Sequence, residues 1–318
     1  MNIKKIILGK LSQFNINGNY FVSEHDHTYC PHVNGIVKLG LAELGVLKVI
    51  PVPSSDLFFP HLIDNSLGVF HKRVDTDGGV IQGEINACKN SVPVLTLAVL
   101  GKKQLAKKVL NFLFGSALYN SNNYLFYKEM DLISGNINKK LPSQSNLWAA
   151  FALFVLKDKR WKIILSAIEK EKLSKNGLFK SINCESNSKA NAFFSDDQAL
   201  ATILYLLIGE NEKAKKLAEA VLQSPLYDKK TGLFSTSFWG KKVDETKSTY
   251  KNGLCGIALG KVGFEKERKK LAKSMLALLY DKKEGLFNAS NTSKTKFPDS
   301  NILALMVITY PKLKHLIF

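Results

Sequence analysis

The chain has 318 residues, 45% of them hydrophobic, which is enough to bury a sizeable core as one large domain or two ordinary ones. Its formal charge of +18 invites a polyanionic partner, yet only Arg73, Arg160 and Arg268 are arginines. Lysine lacks the planar fork that reads phosphate, so nucleic acid is not the expected partner, and an acidic glycan is the polyanion the charge would favour.

No run of ~18 apolar residues occurs, so no membrane span is expected, and the longest apolar run, "LWAAFALFVL" (147–156), has the length of a buried core helix. The opening "MNIKKIILGKLSQF" holds too short an apolar stretch for a secretory signal, and the expected location is cytoplasmic. Cys30, Cys88, Cys184 and Cys255 are scattered without CxxC spacing, which predicts reduced thiols.

Along the chain, residues 3–13 read as a weak amphipathic helix and "NGNYF" (17–21) as a hairpin. "SEHDHTYCPH" (23–32) then leads into the apolar "NGIVKLGLAELG" (34–45). Residues 60–71 resemble the first helix, and "DGGVI" (77–81) the first hairpin, within the acidic stretch "RVDTDGGVIQGE" (73–84). "NSVPVLTLAVLG" (90–101) is apolar nearly all round; "GKKQLAKKVLNFLF" (101–114) is apolar only at i, i+3, i+4 and i+7. The same succession returns in "NNYLF" (122–126), "NLWAAFALFVL" (146–156) and "KDKRWKIILSAIEKEK" (157–172). It returns again in "KNGLF" (175–179), "DQALATILYLLIG" (197–209) and "ENEKAKKLAEAVLQS" (210–224). "KTGLF" (230–234), "NGLCGIALGKVG" (252–263), "EKERKKLAKSMLALLY" (265–280), "KEGLF" (283–287) and "NILALMVITY" (301–310) complete it.

The apolar segments start at 34, 90, 146, 197, 252 and 301, separated by 56, 56, 51, 55 and 49 positions. Helices apolar on every side belong to an inner wall, and amphipathic helices to an outer one facing water. Six outer–hairpin–inner units account for almost every residue without a linker, which predicts one domain over 1–318.

This repeat resembles the (α/α)6 barrel of the six-hairpin glycosidase superfamily and of N-acylglucosamine 2-epimerase-like proteins. The resemblance spans the full chain and rests on repeat geometry and on the recurring GLF and (S/D)N phrasing. It implies an all-α toroid of alternating inner and outer helices, with short β-hairpins in the outer-to-inner loops that build a funnel. No single family's catalytic motif matches, so no residue role carries over. Prenyltransferase and terpene-cyclase toroids share the alternating barrel, but "VDTDGGV" (74–80) lacks the paired second acid of a DxDD motif, and Gln–Trp repeats are absent. The resemblance implies a carbohydrate-active enzyme, foremost a glycoside hydrolase working by carboxylate acid/base chemistry. A sugar epimerase or lyase using histidine, a terpenoid or prenyl-type enzyme, and a non-catalytic glycan- or protein-binding toroid are the alternatives.

Chemistry is expected where the inner helices begin, because helix N-termini present unpaired N–H groups and partial positive charge. Asn34, Asn90, Asn146, Asp197, Asn252 and Asn301 read as helix N-caps whose amides could also meet sugar hydroxyls. In "SDDQA" (195–199), Asp196 and Asp197 offer one capping carboxylate and one facing the funnel, where burial would raise its pKa. Asp75 and Asp77 share a strand face, and Glu84, Glu129 and Asp131 add carboxylates from neighbouring repeats. A glycosidase needs two of these about 5–10 Å apart. Asp197, Asp77, Asp75 and His25 are the expected catalytic residues. His27, Asn34, Glu84, Glu129, Asn146, Trp148, Asp196, Trp239, Tyr250 and Asn252 are expected to bind substrate, with Phe193 and Phe194 near the mouth. His25 and His27 have the spacing of a zinc half-site, but Cys30 and His32 follow too closely and no second Cys/His cluster exists, so neither metal nor cofactor is expected.

Overall fold

A computed structural model describes residues 3–16, 20–21, 28–46, 63–64, 67–74, 80–82, 84–182 and 191–310. The two apolar patterns give two layers. In chain order the helices are α1 (Ile3–Leu11), α2 (Pro31–Glu43), α3 (Ala87–Val99), α4 (Lys103–Gly115), α5 (Ser143–Val155) and α6 (Arg160–Lys172). They continue with α7 (Ser195–Leu207), α8 (Asn211–Gln223), α9 (Thr249–Val262), α10 (Glu265–Leu278) and α11 (Pro298–Thr309). The inner wall runs α2–α3–α5–α7–α9–α11, each helix packed on the next, and α11 returns against α2 to close the ring. Outside it, α4, α6, α8 and α10 lie against α3, α5, α7 and α9, and α1 lies against α11. The chain is an (α/α)6 barrel.

Burial explains which helix goes where. Every residue from Ser145 to Leu153 of α5 is buried, so water is absent from all its sides. In α8 only Ala214, Leu217, Ala218 and Val221 are buried, at i, i+3, i+4 and i+7, and its lysines face out. Close approach of α9 to α11 requires glycine: a Cβ on Gly253 would stand 2.6 Å from Leu303 Cβ, and one on Gly256 would stand 2.6 Å from Val307 Cγ2.

Five of the connections into an inner helix carry a short antiparallel pair ending in a phenylalanine. These are Phe70, Phe126, Phe179, Phe234 and Phe287, none more than 1% exposed. The residue two before each has positive φ: Gly68 (73°), Tyr124 (60°), Gly177 (78°), Gly232 (78°) and Gly285 (74°). An inner-helix amide then takes the place of a neighbouring strand. The Phe126 N–H donates to Asn146 Oδ1 at 2.7 Å, and Asn146 Nδ2 donates to the Phe126 carbonyl at 3.0 Å and to that of Pro142. Asn90 grips Phe70, Gln198 grips Phe179, Asn252 grips Phe234 and Asn301 grips Phe287 through the same pair of bonds. In the first repeat Asn34 Nδ2 likewise donates to the carbonyl four residues back, that of Cys30.

These contacts correct three expectations. The asparagines are not N-caps: each inner helix begins three residues earlier, and Asn86 and Ser248 cap α3 and α9 by accepting from the N–H groups of Lys89 and Lys251. In the fourth repeat the gripping residue is Gln198, not Asp197, because only an amide both accepts from N–H and donates to C=O. The described part of 60–71 forms the strands Ile63–Asp64 and Val69–Phe70 rather than an outer helix, with Gly68 turning the chain. The expected hairpin around 77–81 does pair Arg73–Val74 with Val80–Gln82, but the clamped one is that of Phe70.

Among the described residues no helix is long and apolar enough to cross a membrane.

Asn146→Ala leaves a buried N–H and C=O unpaired, which should cost about 2–4 kcal/mol in urea unfolding. A loss of about 1 kcal/mol would be the signature of a mere cap.

Candidate active site

The clamp fixes the rotational phase of every inner helix. Two residues before the clamping position lie His32, Cys88, Gln144, Asp196, Tyr250 and Asp299, one from each helix of the ring. Four residues further along the same face come Ile36, Val92, Trp148, Leu200, Leu254 and Leu303, none more than 1% exposed. A polar ring therefore sits on an apolar plug at the N-terminal mouth of the barrel.

The ring is joined by contacts between helices. Tyr250 Oη and His32 Nε2 are 3.0 Å apart, from α9 across the start of α11 to α2. His32 Nδ1 meets Cys88 Sγ at 3.5 Å, and that sulfur lies 3.9 Å from Gln144 Oε1. Gln144 Nε2 donates to Asp196 Oδ2 at 2.7 Å, and Lys251 Nζ donates to Asp196 Oδ1 at 2.6 Å. At two of the six repeats the residue after the ring position reaches back to the preceding repeat: Lys251 to Asp196, and Lys89 Nζ to Cys30 Sγ at 3.2 Å. Asp299 accepts from the Ser300 N–H at 2.7 Å.

Burial dominates the electrostatics. His32 is held well below the usual 6.5 by desolvation and then by the Lys89 charge, so its imidazole is neutral. Burial pushes the Tyr250 phenol well up, with the Cys88, Asp299 and Asp196 groups adding to it. Burial also raises Asp299, against the pull of the Ser300 N–H and Lys89. For Lys89 burial opposes the charge, but Cys30, Cys88 and Asp299 outweigh it and keep the ammonium. Five kinds of group that accept, donate or carry a proton thus share one water-poor floor.

Of the residues singled out in the sequence, Asp196, Tyr250 and His32 (the last named there only as a possible metal ligand) belong to the ring. Asp197 sits beside it, buried, within reach of Ser181 and Lys172; burial and then Asp196 hold its carboxyl well above the usual range. Asn34, Asn146 and Asn252 are 0–1% exposed, and their amides are bonded to backbone rather than to the lumen. Trp148 lies in the plug, edge-on to His32 at 6.2 Å and stacked on Phe151, so its faces are covered. Glu129 belongs to the rim strand Glu129–Met130; burial would raise it, but Lys72 at 3.1 Å and Lys128 at 3.3 Å hold it low. Glu84 lies beside that sheet with Oε2 buried and unbonded among the described residues. Asp131 caps its own turn through the Ile133 and Ser134 N–H groups. Trp239 is 38% exposed on the rim strand Ser237–Trp239, and Phe193 stacks on Phe238. His25, His27, Asp75 and Asp77 lie outside the described residues. Cys88, Lys89, Gln144, Lys251 and Asp299 were not singled out, although counting back from each clamp amide finds them. Among the described residues no three His, Cys, Asp or Glu side chains are grouped to hold a metal ion.

Barrel, hairpins and ring together define a six-hairpin (α/α)6 toroid with a polar mouth, and solved structures share that architecture. A sugar epimerase from a ruminal bacterium is 12% identical with a TM-score of 0.76, over 99% of this chain and 100% of that one. A D-mannose isomerase is 13% identical with a TM-score of 0.77, over 97% and 96%. A β-1,3-1,4-glucanase from Paenibacillus sp. X4 is 12% identical with a TM-score of 0.66, over 97% and 91%. No family model and no curated protein matches the sequence.

The Asp197 pKa shift carries a stability prediction. A carboxyl raised above its unfolded value of 3.8 contributes stability that is complete below that pH and is lost as pH rises through the folded value. Asp197→Asn should therefore be at least as resistant to urea as the parent at pH 7, with the difference shrinking towards pH 4. A variant markedly weaker at pH 7 would show that the charge is needed in the fold.

Proposed function

We propose that this chain is a carbohydrate-active enzyme, one domain over 1–318, that moves protons at the polar ring, and that its reaction class is sugar isomerisation or epimerisation. The observation that carries the reading is His32: a neutral imidazole at the mouth floor, oriented by Tyr250 and able to take a proton. Similarity of fold to epimerases and an isomerase supports the substrate class. In this reading His32 removes the proton on the carbon beside the carbonyl of an open-chain sugar. The Tyr250 hydroxyl and the Lys251 and Lys89 ammonium groups face the oxygen on which negative charge grows. The apolar plug keeps bulk water from the reacting carbon.

Glycoside hydrolysis is the second reading, and one observation favours it. Asp299 is buried and held towards its protonated form, which suits it to donate a proton, while Asp196 is ion-paired with Lys251 at 2.6 Å. Both oxygens of Asp196 are held, one by Gln144 and the other by Lys251. A sugar with an acidic group would suit the lysines and helix N-termini of the mouth.

The test is a panel of aldoses, ketoses and disaccharides incubated in D2O and followed by NMR. Isomer formation with deuterium on the carbon beside the carbonyl is expected; new reducing ends without that deuterium would replace this reading by hydrolysis. His32→Asn should lower turnover by about 10²–10⁴-fold with the circular dichroism unchanged. Because the active form is the neutral imidazole and its pKa is depressed, the acid limb of kcat/KM should fall below the 6.5 of a free histidine.

A further inference from the structure

We propose that Cys88 is a nucleophile for acyl transfer, with His32 as its base and Tyr250 as the group that orients the base, and that the ring cleaves small O-acyl esters. This activity is separate from sugar isomerisation but uses the same imidazole.

Three observations place a thiol in the arrangement that covalent catalysis needs. Cys88 is the second residue of α3, where the positive end of the helix dipole favours a thiolate. Its Sγ stands 3.5 Å from His32 Nδ1, and His32 Nε2 stands 3.0 Å from Tyr250 Oη, so nucleophile, base and orienting group form one line across the mouth. The next residue, Lys89, carries an ammonium within electrostatic reach of Cys88 and is hydrogen-bonded to Cys30 Sγ at 3.2 Å. Cys255 provides the contrast: it is buried on α9 with its sulfur turned to the Ser195 carbonyl, and burial raises its thiol pKa. A thiol that merely fills space needs no such surroundings.

The step balances without any group beyond water. Cys88 sulfur bonds to the ester carbonyl carbon while His32 Nδ1 takes the thiol proton. The tetrahedral intermediate collapses with cleavage of the C–O bond, and the leaving alkoxide takes that proton from His32. Water, deprotonated by the same nitrogen, then attacks the thioester, releasing the carboxylic acid and restoring the thiol. In this cycle Nδ1 is the proton acceptor, so the Nε2 hydrogen points to Tyr250 Oη. The ester class fits a floor of hydroxyl, amide and ammonium groups above an apolar plug. An O-acylated sugar is the natural form if the sugar reading also holds.

The probe is p-nitrophenyl acetate, with the full-length protein at pH 7.5. A burst of p-nitrophenolate is expected, with one acetyl group mapped to Cys88 by peptide mass spectrometry, followed by slower steady release. His32→Gln should slow the burst about 100-fold. Should that variant fail to fold, the parent decides the matter: native Cys88 should react with iodoacetamide faster than Cys88 in the urea-unfolded chain, and alkylation should abolish the burst. Acetyl on Cys30 or a lysine, or native Cys88 reacting no faster than the unfolded thiol, overturns the proposal. Because the probe is not a sugar, failure of this test leaves the isomerase reading untouched, and a failed sugar panel leaves this one standing.

Discussion

The structure depends on one interaction made repeatedly: a buried side-chain amide on an inner helix pairs with both backbone groups of a hairpin phenylalanine. A two-stranded hairpin is marginal alone in water, and its outer edge would leave N–H and C=O groups unpaired beneath the mouth. The amide answers both groups at once, as a strand would, while its Nδ2 or Nε2 also holds the carbonyl four residues back. The phenylalanine ring is thereby driven into the seam between wall layers. Layer, hairpin and helix start are tied together at a single residue in each of five described repeats.

That tie also governs the chemistry. With the clamp pointing at its hairpin, helical periodicity turns the residue two before it into the lumen and the residue one before it towards the neighbouring helix. The first set gives the ring; the second gives Lys89 and Lys251, which place ammonium groups against Cys30 and Asp196. The clamps are nearly invariant in type from repeat to repeat, whereas the ring is His, Cys, Gln, Asp, Tyr and Asp. A scaffold role demands the same residue each time, and a chemical role demands different ones.

Desolvation then sets the protonation states. The mouth floor is buried on helices that leave little room for water, so His32 stays neutral and Asp299 and Tyr250 are drawn towards their protonated forms. Asp196 sits between Lys251 and Gln144, and Lys89 among two thiols and a carboxyl, so the charges there have close partners. An uncharged imidazole between a phenol and a thiol is the consequence, and both proposals rest on it.

The barrel was legible in the sequence because periodicity and composition report burial directly: "LWAAFALFVL" must be inside, "EKAKKLAEAVL" must have a wet face, and GLF after a charged residue must turn. Residues 60–71 misled, since a short apolar stretch fits a helix or a hairpin equally until Gly68 is seen with φ of 73°. The asparagines were conspicuous for a sound reason but do something other than cap. A polar residue opening an apolar run is visible in the sequence; the helix start three residues earlier is not. Asp197 stood out by aligning with them, although Gln198 makes their contacts. What the sequence alone determined is the six inner helices, their order and the layering of inner against outer, because these follow from local patterns of burial. Only the tertiary structure decided which side chains meet at the mouth: Cys88 reaches His32 across 56 residues and Tyr250 reaches it across 218, contacts that no local pattern encodes and only closure of the ring creates.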